Sequence, residues 1–333
     1  MVPITVLRMV PIQRYRHMYD TINFYHHDKA LDLSSLNQHL EKVKRIIDEE
    51  TGEWLYSRVK IGDFQFKFGM NWLSATGSLP RLIYPDNTFM LSREEVQKCI
   101  ETLSDKLHFD MNNVNVTRID VAATFSMKHS VKLYLDCLGE LQSFKKCLSV
   151  KDETMYYMQE NEKYLQKLIF YDKLCEFLKR YKVHPKGVKG VNLLRYEREW
   201  YKVLPAQLKE PEVKGRTLYD ERFYHKIVEL WAESYFAIAK RKTLVDDAIG
   251  MIRTPKEGFY YIIAKALQIL PIDFVTKRIA IMQEYGVYSS PNSYSRLRAM
   301  FREIQSQANI MQEVELMREL NEKITRVLNN LKP

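Results

Sequence analysis

Three short segments carry side chains that can do chemistry together. In NVTRIDVAATF, period-two alternation puts Arg118, Asp120, Ala122 and Thr124 on one strand face, so a carboxylate sits among small neighbours that leave space beside it. In KLIFYDKLCEF, Tyr171 and Lys173 share a face at a strand end, and Glu176 follows in the next turn. In LLRYEREW, Arg195, Glu197 and Glu199 share a face and alternate with Leu194, Tyr196 and Arg198. Taken singly, each segment has a plainer reading, since a strand acid is usually solvated and a tyrosine usually packs. Together they supply a phenol, cations and carboxylate oxygens. A phenol, with a pKa of about 10, attacks at neutral pH only if that pKa is lowered or its electrophile is strongly polarised.

Other chemistries are excluded by what the chain lacks. There is no GxxxxGK[ST] phosphate loop, no GxGxxG and no HExxH. His26 and His27 are adjacent, so on a strand they face opposite sides and cannot clamp one metal, which removes the His-hydrophobic-His arrangement of one large class of DNA-nicking enzymes. They read as surface loop residues. Cys99, Cys137, Cys147 and Cys175 form no CxxC pair, the usage of a reduced, cytoplasmic protein. No apolar run approaches the roughly 18 residues of a membrane span, so no membrane partner is expected. Lys and Arg total 51 against 42 Asp and Glu, a formal charge of +9 that favours a polyanionic partner.

The elements that must position these groups fall into two textures. Val, Ile, Phe and Tyr alternate with polar residues at 5–12, 54–59, 64–68, 81–84, 115–125 and 164–173, the pattern of half-buried strands. Residues 154–158 and 163–173 flank the polar group QENE and predict a hairpin, and 192–201 predicts a further strand. Helices are expected at 36–50, at 92–107, where Ser92 and Glu95 have capping-box spacing, and at 174–181. A basic loop with Lys179, Arg180, Lys182, Lys186 and Lys189 follows, open both to plain solvation and to phosphate contact. Residues 205–211 read as a linker. Beyond it the pattern is helical, at 221–242, 258–269, 271–285 and 293–331, with Val314, Met317, Leu320, Ile324 and Val327 on one stripe and no strand signal of comparable strength. The 333 residues therefore predict an α+β chain, an antiparallel-sheet domain flanked by helices at 1–205 and a mainly helical C-terminal domain at 212–333.

In their order along the chain, VLRMVPI, ATGSLPRLIY, TRIDVAATFS, the Tyr-x-Lys-x-x-Glu element of Tyr171, Lys173 and Glu176, and LLRYEREWYK resemble the filamentous-phage gene II replication initiators and related phage and plasmid rolling-circle initiators. The resemblance spans roughly residues 5–205. It implies a nickase that attacks one strand of its origin with a tyrosine, here Tyr171, and stays joined to the 5′ phosphate. Lys173 would then stabilise charge at the phenol or phosphorus. Asp120 and Glu197, with Glu176 as a third group, would hold Mg²⁺ or Mn²⁺, hard cations that prefer oxygen. Arg118 and Arg195, each two residues before one of these acids, would orient that acid or contact phosphate. DNA is the implied partner, with a host helicase and polymerase. Two alternatives share the fold: a relaxase nicking a transfer origin, and a DNA-binding protein without catalysis. A tyrosine recombinase is excluded by the lack of HxxR.

Overall fold

The computed structural model describes residues 16–330, apart from 31, 86, 88, 89, 150–152, 183–189, 247 and 308–310. The strand expected at 5–12 lies outside the described residues, as do Lys186 and Lys189 of the basic loop.

The first described elements are β1 (Arg16–His17) and β2 (Tyr19–His27). His26 and His27 are thus the last residues of a strand, paired with Leu73 and Trp72, and not the loop residues expected from the sequence. Residues 36–50, expected as one helix, give only the single turn α1 (Leu36–His39) and then β3 (Lys44–Ile47). The cause is local. Asp48 Oδ1 accepts from the amides of Glu50 and Thr51 at 2.9 and 2.8 Å, and Gly52 takes φ +73°, so the chain reverses into β4 (Trp54–Ile61) and claims Lys44–Ile47 as its partner. β5 (Phe64–Phe68) and β6 (Trp72–Ser78) complete the ribbon. A Cβ on Gly77 would stand 2.5 Å from the Phe64 ring, so that close approach requires glycine. Residues 81–84 are not the expected strand: Pro80, with no amide for a ladder, opens a 3-10 turn at Pro80–Leu82.

β7 (Leu91–Ser92) pairs with β1, and α2 (Arg93–Leu107) begins where predicted, its Ser92 and Glu95 bonding reciprocally as a capping box. Then follow β8 (Asn115–Met127), α3 (Val131–Leu135), β9 (Lys145–Ser149), β10 (Thr154–Glu160), β11 (Tyr164–Asp172), α4 (Lys173–Tyr181) and β12 (Asn192–Lys202). The expected linker is instead α5 (Leu204–Leu208), started by Pro205 in its first turn. α6 (Glu221–Phe236) is the next helix.

Two compact units result. Of the described residues, the first holds those up to 126, those within 143–235 and those from 324 on; the second holds those within 127–142 and 236–323. The first is built on a ten-stranded antiparallel sheet, ordered β3-β4-β5-β6-β2-β8-β12-β11-β10-β9. Alternation gives the sheet an apolar and a polar face. The apolar face buries Ile22, Phe24, Phe64, Phe66, Phe68, Phe170, Tyr196 and Trp200. α6 covers part of it, with Tyr196 stacked on Phe170 at 4.4 Å and on Trp231 at 4.8 Å, and the Tyr196 hydroxyl donating to the Trp231 carbonyl at 2.9 Å. The polar face carries Arg118 and Asp120 on β8 beside Glu197 and Glu199 on β12, adjacent strands in the middle of the sheet.

The second unit contains β13 (Lys242–Leu244), α7 (Pro255–Gln268), α8 (Phe274–Glu284), α9 (Pro291–Ser306), β14 (Met311–Glu313) and most of α10 (Glu315–Asn329). Its core is Ala248, Tyr260, Ala264, Ile304 and Met311. The helices stand near the predicted places, but β13 and β14 pair with one another and cut short the runs expected at 221–242 and 293–331. Met317, Leu320, Ile324 and Val327 of α10 are buried, as their stripe predicts. The fold is that of an α+β domain on a large antiparallel sheet, followed by a mainly helical C-terminal region.

Candidate functional site

Tyr171 stands one residue before the end of β11, opposite Arg195 of β12, and its hydroxyl reaches the diagonal neighbour Glu197, donating to Oε1 at 2.7 Å. The strand stops because Asp172 caps α4: its Oδ1 accepts from the amides of Leu174 and Cys175 at 2.8 and 3.0 Å. That turn sets Lys173 beside Tyr171, its Nζ 5.8 Å from the centre of the phenol ring. Lys173 donates to Glu176 at 2.8 Å and to Asn87 Oδ1 at 3.2 Å.

Arg195, only 2% exposed, ties the cluster together. Its Nε donates to Glu197 Oε1 at 2.5 Å, its Nη2 to Asp20 Oδ2 at 2.6 Å, and its Nη1 to Thr124 Oγ1 and the Asn87 carbonyl at 3.1 and 3.2 Å. All its nitrogens are thus engaged, so it positions carboxylates and is not placed to hold a phosphate. Asp20 also accepts from Ser78 Oγ at 2.9 Å and Asn87 Nδ2 at 2.6 Å. Asp20, Ser78 and Asn87 are not among the residues the sequence suggests. Asp20 lies in MYDTINF, where an acid interrupts an apolar alternation, and that is a usable signal; Asn87 sits in a loop and gives none.

A second knot adjoins the first. Arg118 forks onto Asp120, Nε to Oδ1 at 2.8 Å and Nη2 to Oδ2 at 2.5 Å, and reaches Glu199 at 3.2 Å. Glu199 further accepts from the Tyr201 hydroxyl at 2.8 Å.

Burial and charge set the protonation states. The Tyr171 phenol is pushed far above its ordinary range by burial, with the Glu197 carboxylate adding to the rise and Arg195 opposing it, so at neutral pH it holds its proton and offers it to Glu197. Asp120 is pushed well above the usual carboxylate range by burial and then by Glu199, with Glu197 adding to both and Arg118 opposing. Burial, then Arg195, lowers Lys173. For Asp20 burial acts upward, but Arg195, Lys173, Ser78 and Asn87 together bring it below the ordinary value of an aspartate. Asp20 therefore contributes stability above its unfolded pKa of about 3.9, and that contribution disappears as pH falls through the lower folded value. Asp20→Asn should destabilise the chain at pH 7 and lose its penalty on acidification below about pH 4. Urea unfolding at pH 7, 4 and 3 measures this, and a penalty equal at all three would exclude the ionic role.

Asp120 and Glu199 stand on the Arg118 guanidinium and Glu197 on that of Arg195, so each of these carboxylates is paired with a cation of the protein itself. Glu176 is held by Lys173 and, at 3.9 Å, by Arg180. Asp120, Glu197 and Glu176 do not converge as one set. Among the described residues, the three-residue group whose ligand atoms all lie within 4.8 Å is Glu153, Asp172 and Cys175. This small acidic and cysteine cluster could chelate a metal, although burial, followed by Asp172 and Glu153, raises the Cys175 thiol and keeps it protonated.

A cleft of about 480 Å³ opens over the phenol, lined by Tyr171, Glu197 and Tyr156 on one side and by Glu176, Lys179 and Arg180 of α4 on the other. Lys179 and Arg180 are thus helical, not in a loop, and Lys182, exposed, follows as the left-handed cap of α4.

The site thus joins a phenol bonded to a strand carboxylate with a cleft edged by the basic side chains Lys179 and Arg180. Residues 6–216 match the profile of a phage family described as the N-terminal part of the gene II replication-associated protein, and the chain belongs to that family. Membership associates it with rolling-circle replication initiators, with DNA binding and with enzymes of the nuclease or nickase type. No curated protein matches the sequence. Among the described residues, no helix is long and apolar enough to cross a membrane.

Proposed function

We propose that the protein is a rolling-circle replication initiator that nicks and rejoins one strand of its origin through a 5′-phosphotyrosine. The observation that carries this reading is the 2.7 Å hydrogen bond from Tyr171 to Glu197. Oη of Tyr171 attacks the scissile phosphorus as its proton passes to Glu197; the bond from phosphorus to the 3′ oxygen breaks, and that oxygen leaves with a proton from Lys173 or water. Burial of Lys173 eases that donation, because it lowers the cost of giving up the proton. The covalent bond keeps the phosphodiester energy, so the free 3′ hydroxyl can prime synthesis and a later strand end can reverse the attack. Asp120 and Glu197 would hold Mg²⁺ or Mn²⁺, with Glu176 acting through Lys173; bound there, the ion supplies Lewis-acid polarisation of the phosphate. The chemistry belongs to residues 1–205, and a cytoplasmic site of action with a host helicase and polymerase follows from the role. Lys179 and Arg180, which line the cleft, would hold phosphates there, and Lys182, Lys186 and Lys189 of the same basic segment are further DNA contacts in this reading.

The direct test incubates the protein with supercoiled DNA carrying its own genetic neighbourhood, in Mg²⁺ or Mn²⁺, and maps the 5′ adduct to a residue; failure to nick under any of these conditions would favour a DNA-binding role alone. Asp120→Ala and Glu197→Ala should each slow nicking by about 10²- to 10⁴-fold, the usual contribution of a general base or more. Glu197→Asp, which keeps a carboxylate, should recover part of the rate in Mn²⁺. Glu176→Ala should be the mildest of the set. Nicking rates in the two metals decide it: equal losses for Glu176→Ala and Glu197→Ala would place both in direct contact with the ion.

A further inference from the structure

The strand register places a second group of residues in line with the site. Lys60 of β4 faces Gln65 of β5, Gln65 faces Thr76 of β6, Thr76 faces Asn23 of β2, and Asn23 faces Arg118 of β8. These cross-strand partners share one face, so this row runs over the open side of the sheet into the residue that grips Asp120 and Glu199. A neighbouring row reads Lys44, Arg58, Lys67, Ser74 and Tyr25. At about 4.8 Å per strand, Lys60 stands about 19 Å from Arg118.

The chemistry of these rows has one sign. β3, β4, β5 and β6 contain Lys44, Arg45, Arg58, Lys60 and Lys67 and no acidic residue. Lys44, Arg58, Lys60 and Lys67 are exposed, and none forms an ion pair with a described residue. Aromatic rings alternate with them: Tyr25 is 43% exposed, Tyr56 lies 6.2 Å from Trp72, and Arg58 sits over Tyr56. On the row that enters the site, Asn23 Oδ1 has no hydrogen-bond partner among the described residues. Cations without acidic partners, interleaved with aromatic rings on a pleated surface, match a single nucleic-acid strand, whose phosphates take the charges and whose bases stack on the rings.

We propose that the open face of the β3–β6 ribbon is a track for single-stranded DNA that delivers the strand across Arg118 to Tyr171. This rests on the nickase reading of the site and adds the path by which substrate reaches it. The path lies on the opposite side of the site from Lys179 and Arg180, so the strand crosses the sheet with the phenol between two basic regions.

The test titrates a fluorescein-labelled oligothymidylate into the full chain over a salt series. Arg58→Ala, Lys60→Ala and Lys67→Ala together should reduce the slope of log affinity against log salt by about 2, at about 0.7 for each phosphate contact on a single strand. Trp72→Phe, which leaves packing nearly intact, should remove most of the tryptophan quenching by the oligonucleotide, because Trp200 and Trp231 are buried and only Trp54 remains nearby. An unchanged slope in the triple variant, or unchanged quenching in Trp72→Phe, overturns the track. The two readings separate cleanly. A triple variant that binds as the wild type does, while the wild type forms its Tyr171 adduct, removes the track alone; a changed slope in a chain that forms no adduct keeps the track and removes the nickase.

Discussion

Tyr171→Phe should abolish nicking and the covalent DNA adduct, a loss on the order of 10⁴- to 10⁶-fold, while origin binding survives. The substitution removes one oxygen and almost no volume. That oxygen donates to Glu197, and Arg195 still pairs with the carboxylate, so the folding cost should be about 1 kcal/mol. Binding and chemistry therefore come apart in this variant. Neither metal should restore its rate, in contrast to Glu197→Asp, because a polarised phosphate still lacks a nucleophile. Gel mobility of radiolabelled origin DNA, with and without protease, reads both quantities. An adduct formed at the normal rate would move the nucleophile elsewhere, with Tyr164 at the start of β11 the next tyrosine to replace.

The parts of the site legible in the sequence are those where period-two alternation runs undisturbed. Arg118, Asp120 and Thr124 do share a face, and Arg195, Glu197 and Glu199 share the same side of the next strand, because alternation along β8 and β12 is unbroken over these residues even though the pairing of β2 with β8 shifts register opposite Ile119–Val121. Residues 36–50 mislead for the opposite reason: Leu36, Leu40 and Val43 fit a helical period, but the Asp48 to Gly52 reversal gives Lys44–Ile47 a strand partner that no local pattern reveals. At 205–211 proline reads as a linker signal where it opens a helix, and at 81–84 apolar residues read as a strand where Pro80 forbids one. Asp20 and Asn87 lie 175 and 108 residues from the arginine that binds them. Such pairings arise only when β2 is laid between β6 and β8, and nothing in either segment announces the partner.

Arg195 carries the largest expected effect on stability. A guanidinium 2% exposed neutralises Asp20 and Glu197 together and also satisfies Thr124 and a backbone carbonyl, so Arg195→Ala leaves two carboxylates without the buried cation that joins them. Breaking a buried pair from one side costs about 3–5 kcal/mol, and much of the stability of an ordinary domain is then gone. Arg195→Lys should recover only part of the loss, since one ammonium cannot span the positions that the planar fork reaches. Arg180→Ala is the control: its partner Glu176 is 3.9 Å away and both side chains are substantially exposed, so the change should stay below about 1 kcal/mol. Urea midpoints for the three variants rank these effects, and a midpoint for Arg195→Ala within error of Arg180→Ala would show that the network is ornamental to folding. Nicking by Arg195→Lys, measured where it remains folded, adds the functional half: with Asp20 and Glu197 released from a common tether, the Tyr171 hydroxyl loses its fixed acceptor, and the rate should fall while oligonucleotide affinity holds.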